Sequence, residues 1–115
     1  MHLERGDVVL VLFPDSNLVT AKRRPALVVQ ADDLKTGLSQ TIVAMITSNL
    51  ARAGHPSRVA VTQSSPESRQ MGLRTDSVVM TDNLATILET EIDRVIGHCS
   101  DMQPLDAALR CTLGL

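Results

Sequence analysis

Residues 93–99 read DRVIGHC, and how they are read decides the fold. Leu88, Ile92, Val95 and Ile96 fit the spacing of a helix, yet the same stretch is β-branched and closes on Gly97, as a strand does. A helix here leaves five strands in the chain, and a strand makes a sixth. Periodicity alone supports both.

The flanking segments read more clearly. Downstream, Leu105, Ala108, Leu109, Thr112 and Leu113 follow the i, i+3, i+4, i+7, i+8 pattern of an amphipathic helix. Ser100 or Gln103 is its expected cap, Pro104 suits the first turn and Gly114 marks the stop. Upstream, LRTDSVVMTD (73–82) carries a strand centred on Ser77 to Met80, and RVAVTQ (58–63) alternates like an edge strand. TIVAMITS (41–48) and ALVVQA (26–31) are further strands. Asp7 to Phe13 is an apolar run too short for a helix, closed by Pro14-Asp15-Ser16-Asn17, and reads as a strand buried on both faces. Residues 14–24, 31–40, 49–57 and 64–72 read as loops. The expected architecture is mainly β (α+β): one domain spanning 1–115, a small, strongly bent sheet or barrel with one terminal helix packed on it.

Composition narrows the function. The net charge is −2, but residues 16–66 hold six cations against two anions, whereas 76–106 hold seven carboxylates against Arg94. One region can attract an anion while the whole would not coat nucleic acid indiscriminately. Aromatic content is 1%, a single Phe13, which excludes a base-stacking RNA platform. A nucleic-acid partner has to be held through phosphates and base edges. The longest apolar run, VVLVLF (8–13), is strand-sized, and MHLERGDVV lacks the regions of a signal peptide, so a cytoplasmic protein without a membrane span is expected.

Cys99 and Cys111 form no metal motif and are expected to be free, buried thiols. His2, His55 and His98 are scattered, with no H-E-x-x-H and no acidic metal cluster, so the chemistry is expected to need neither metal nor cofactor. Arg5-Gly6-Asp7 reads as a turn entering a strand, and no phosphate-cradling glycine motif or nucleophile elbow occurs.

Three constellations could carry chemistry. Lys22-Arg23-Arg24 is either a solvated charge run or a phosphate cradle; Arg24 is the better placed, since Pro25 pushes the residue before it into an extended conformation at the mouth of a strand. Thr47 and Ser48 either cap a turn or supply neutral donors to a developing anion. Asp82-Asn83 is either an Asx-turn or part of a site.

Taken in order, RGDVVLVLFP (5–14), KRRPALVVQ (22–30), TIVAMITSN (41–49), GLRTDSVVMTDNLATI (72–87) and IGHCSDMQPLDAALRCTLGL (96–115) resemble the MazF/PemK family of toxin endoribonucleases. Residues 15–21, 31–40 and 50–71 are unmatched. The resemblance implies an SH3-like small β-barrel with a C-terminal helix, a homodimer, and a strand at 93–99. It further implies metal-independent cleavage of single-stranded RNA, in which a 2′-hydroxyl attacks the adjacent phosphorus to leave a 2′,3′-cyclic phosphate and a 5′-hydroxyl, and neutralisation by a cognate antitoxin. Arg24 and Thr47 fall on the residues that act on the phosphate, with Ser48 as a further donor and Asp82 as a base or an orienting group. Phe13, Lys22, Arg23, Asn49 and Asn83 are the candidate substrate contacts. Met80 stands where some relatives carry an arginine. The rival readings are a CcdB-like, gyrase-binding toxin relying on the C-terminal helix, and a barrel that binds without catalysis. Loops 14–22 and 49–58, on which the cleavage sequence would depend, are where the resemblance is weakest.

Overall fold

The disputed segment is a strand. In the computed structural model, which describes residues 2–14, 17 and 19–115, Ile92–His98 pairs antiparallel with Asp7–Pro14. The register steps from Gly97 to Val95 between Val8 and Val9, and from Arg94 to Ile92 between Leu10 and Val11. Each β-bulge leaves one residue unpaired and resets which face the next side chains take. Two such resets within 7 residues erase the period of two, which is why helical spacing fitted equally well.

Six strands form, β1 (Asp7–Pro14), β2 (Ala21–Val28), β3 (Gln40–Thr47), β4 (Arg58–Val61), β5 (Ser77–Leu88) and β6 (Ile92–His98), with helices α1 (Pro66–Met71) and α2 (Gln103–Leu113). They make one antiparallel sheet in the order β4-β5-β3-β2-β1-β6, and no ladder joins β4 to β6 among the described residues. No helix of the described residues is long and apolar enough to cross a membrane.

Alternation along the strands fills a core on each face. Val8, Leu27, Ala44, Ile46 and Val79 pack with Met71 of α1 and Leu105 of α2. On the other face Val9, Val11, Ala26, Val28, Val43, Ile87 and Ile92 pack together. The expectation that β1 is buried on both faces holds for Val8, Val9 and Val11, while Leu10 is half-buried and Leu12 exposed.

β5 serves both cores because its register on β3 jumps from Leu84 opposite Ala44 to Met80 opposite Met45, looping out residues 81–83. Buried Thr81 fixes that interruption: its N–H and its hydroxyl reach Ser57 O at 3.1 and 2.6 Å, and its Oγ1 lies 2.8 Å from Thr112 Oγ1 of α2. Asp82-Asn83 thus belong to a break within one strand and not to a terminal turn.

Other expectations change in detail. β2 begins at Ala21, so Lys22 to Arg24 lie inside the strand and not in the loop before it. The 64–72 loop contains α1, capped by Ser65 Oγ accepting from Ser68 N–H and ended by Gly72 at φ 72. α2 is led by Asp101, whose Oδ1 accepts from Gln103 N–H at 3.1 Å; neither Ser100 nor Gln103 is its cap. Gly114 ends α2 as expected.

Candidate functional site

The site follows from Pro25. β2 pairs with β1 from Ala21 to Leu27, but with β3 only through Ala26, Leu27 and Val28. Pro25 has no N–H to extend the second ladder, and prolines within sheets sit where one side of a strand is unpaired. Past it, β2 and the end of β3 part around a cavity of about 700 Å³.

Its wall is cationic. Arg23 and Arg24 come from β2, Arg74 from the segment after α1 and Arg94 from β6; Asp93 lies beside two of them, Arg23 and Arg94. Thr47 and Ser48 add hydroxyls at the end of β3. Thr47 Oγ1 accepts from Asn49 N–H at 3.1 Å, which occupies a lone pair and leaves the hydroxyl proton free to be donated. Guanidinium forks beside neutral donors in an open cleft suit an anion with several oxygens, such as a phosphodiester.

The structure therefore brings Arg23, Arg24, Thr47 and Ser48 together. It does not bring the remaining candidates to that wall. Lys22 is exposed on β2 opposite Phe13, and the side chain of Phe13 lies outside the described residues. Asn49 is occupied locally, its Oδ1 accepting from Ala51 N–H at 3.2 Å to cap the turn Leu50–Arg52. Exposed Asn83 and Asp82 sit in the β5 interruption, where Asp82 accepts from Arg58 Nη2 at 2.8 Å and Nε at 3.3 Å. Arg74 and Arg94 are the wall cations that sequence reasoning missed. In the sequence Arg94 is the lone cation of an acidic segment, and the β1–β6 register carries it to the cleft.

Hydrogen bonds from Arg58 hold the Asp82 carboxyl below its ordinary range, and the same bonds raise the Arg58 guanidinium. A depressed carboxyl contributes stability that is complete above the unfolded value of about pH 4 and is lost as the pH falls through the folded one. Asp82→Asn is expected to lower the urea midpoint at neutral pH, with the gap to wild type closing on acidification. A gap independent of pH would disprove the assignment.

Two expectations about thiols and metal ligands need correction. Cys99 is buried, and desolvation first, then the Asp101 charge, raises its thiol; Cys111 is exposed. His98 and Asp7 are not isolated: among the described residues Glu4, Asp7 and His98 bring ligand atoms within 4.8 Å of one another. Those groups already serve the fold, with His98 Nδ1 2.9 Å from Asp7 Oδ1 across the β1–β6 pair and Asp7 Oδ2 accepting from Glu4 N–H at 2.9 Å.

Comparison with known proteins shows the family to which the chain belongs. The family described as PemK-like, MazF-like toxin of type II toxin-antitoxin system matches residues 4–113. The chain is 36% identical over 119 residues to endoribonuclease MazF6 of Mycobacterium tuberculosis, covering all of both. To endoribonuclease EndoA of Bacillus subtilis it is 32% identical over 122 residues, all of this chain and 97% of that protein. Among solved structures, the M. tuberculosis toxin MazF-mt6 aligns with a TM-score of 0.73 at 25% identity, over 95% of this chain and 97% of that one. An endoribonuclease of a mycobacterial species, in complex with its cognate antitoxin, aligns with a TM-score of 0.74 at 23% identity, over 98% and 96%.

Proposed function

Because the chain belongs to the PemK-like, MazF-like toxins of type II toxin-antitoxin systems, we propose that it is an endoribonuclease cutting single-stranded RNA in the cavity between β2 and β3. The observation that carries this reading is the meeting of Arg24, Thr47 and Ser48 on one arginine-rich wall of the cavity.

The substrate supplies the nucleophile. A 2′-hydroxyl attacks the adjacent phosphorus and loses its proton to water in the open cleft, the bond to the 5′-oxygen breaks and that oxygen takes up a proton, and a 2′,3′-cyclic phosphate and a 5′-hydroxyl result. The protein has to hold the two oxygens in line and place donors where charge develops on the phosphorane. Arg24 is the principal clamp, able to give two parallel hydrogen bonds to non-bridging oxygens; Thr47 and Ser48 add donors. Arginine, with a pKa above about 12, is no base, so its part in proton movement is donation toward the leaving 5′-oxygen. Asp82, held by Arg58 away from the wall, is read as a structural partner tying β4 to β5.

A cationic cleft that takes RNA also fits an acidic, partly disordered segment that folds on binding, which supports a cognate antitoxin as partner. A solved relative is held in complex with one. The SH3-like closure of the sheet, assembly as a homodimer and action in the cytoplasm belong to the same proposal. A gyrase-binding role would draw on α2, whereas the chemistry lies in the cavity.

Incubation of the purified protein with a long unstructured RNA in EDTA is expected to give defined fragments ending in 2′,3′-cyclic phosphates, mapped by primer extension. Intact RNA, or cutting only with added divalent metal, would overturn the proposal.

A further inference from the structure

Leu10 of β1 pairs with Pro25 of β2 on one side and with Arg94 of β6 on the other. Residues paired across an antiparallel ladder project from the same face of a sheet, and all three line the cavity. Two strand spacings of about 4.8 Å set the Arg94 backbone roughly 10 Å from Pro25, and Arg24 lines the same cavity.

Arg94 is not loose there. One oxygen, Asp93 Oδ2, lies 3.3 Å from Arg94 Nη1 and 3.3 Å from Arg23 Nε. Both arginines are mostly exposed, at 64% and 61%, so these contacts contribute little to stability. Two guanidiniums on one carboxylate leave a surplus positive charge facing the cavity. A carboxylate oxygen between two guanidiniums also occupies the position that a phosphate oxygen would take.

We propose that Arg23 and Arg94, aimed by Asp93, form a second phosphate subsite in the cleft, for a nucleotide flanking the one cut at Arg24 and Thr47. Asp93 sets its affinity, since a phosphate entering the subsite has to compete with that carboxylate. The inference rests on the reading of the cavity as an RNA site.

An uncleavable oligoribonucleotide, 2′-O-methylated so that no 2′-oxygen can attack, separates the two. By fluorescence anisotropy, Arg94→Ala is expected to raise Kd at low salt roughly 5-fold. The slope of log Kd against log salt should fall by about 0.7, the loss of one single-strand phosphate contact. Asp93→Asn, which frees both arginines, is expected to lower Kd and steepen the slope. These opposite signs are not what a merely structural role of the pair would give. An unchanged slope in Arg94→Ala, failure of Asp93→Asn to strengthen binding, or no binding by wild type would overturn the subsite. Wild type that shows these shifts yet never cuts natural RNA would overturn the nuclease reading alone.

Discussion

Arg24→Ala is expected to slow RNA cleavage by at least about 10²- to 10³-fold, the usual cost of removing one preorganised donor from a developing oxyanion. The side chain is exposed on a strand whose backbone pairs with Val11, so truncation removes no core packing. The urea midpoint should therefore change far less than the cleavage rate. Arg24→Lys should recover only part of the loss, because a point charge cannot reproduce a planar fork on two oxygens. Single-turnover cleavage of a long RNA checks both variants. The split between rate and affinity tells the clamp from a simple docking cation: loss of a contact made in the transition state lowers kcat with kcat/KM, whereas loss of uniform binding raises KM alone. Cleavage by Arg24→Ala at the wild-type rate would remove Arg24 from the mechanism.

Why Arg24 was legible and Arg94 was not is a matter of what fixes each residue. Arg24 lies beside Pro25, a local constraint written in adjacent letters, and Thr47 and Ser48 close an apolar run that reads as a strand. Even so, residue chemistry alone divides these groups between site and solvated edge, and it is the resemblance to the family that favours the site. Arg94 reaches the cleft through a long-range register that two bulges displace. Its own segment is acidic, so the charge pattern along the chain does not mark it as part of a cationic wall.

The same distinction runs through the fold. Strands whose β-branched residues alternate cleanly were legible, whereas β5 was read as ending near Asp82 because its break at 81–83 looks like a terminus. Lys22 to Arg24 looked like loop because three cations suit a strand only where one edge is unpaired, and the opening between β2 and β3 supplies that edge. α1 is six residues long and carries its signals in its caps, Ser65 with Pro66 and then Gly72, so an apolar period had nothing to detect.

Gly97→Ala is expected to be the most damaging small change to stability. A Cβ at Gly97 would stand 2.3 Å from Met71 C, 2.4 Å from Met71 O and 2.5 Å from Gln70 O, all backbone atoms at the end of α1. Across the same contact, a Cβ at Gly72 would stand 2.2 Å from Ile96 O. Two glycines thus let α1 lie directly against β6, and Gln70 fastens the contact by donating to Ser100 Oγ at 2.6 Å and accepting from Ser100 N–H at 3.2 Å. An alanine can be admitted only if α1 moves out, which withdraws Met71, 1% exposed, from the core. Overpacking costs about 1–3 kcal/mol and lost burial of a methionine adds to it, so a loss of about 3 kcal/mol or more is expected. For a domain of this size that is a fall in Tm of roughly 10 °C. Gly37→Ala supplies the control: Gly37 has φ +79 and no atom within 4 Å of an added Cβ, so it carries backbone strain without a clash. If thermal unfolding finds Gly97→Ala no worse than Gly37→Ala, close packing of α1 on β6 is not what holds this side of the molecule together. If the larger loss is found, cleavage should fall as well at temperatures where the variant remains folded. Gly72 and Ile96 line the same cavity as Arg74 and Arg94, so moving α1 displaces the wall on which those arginines stand without altering either of them.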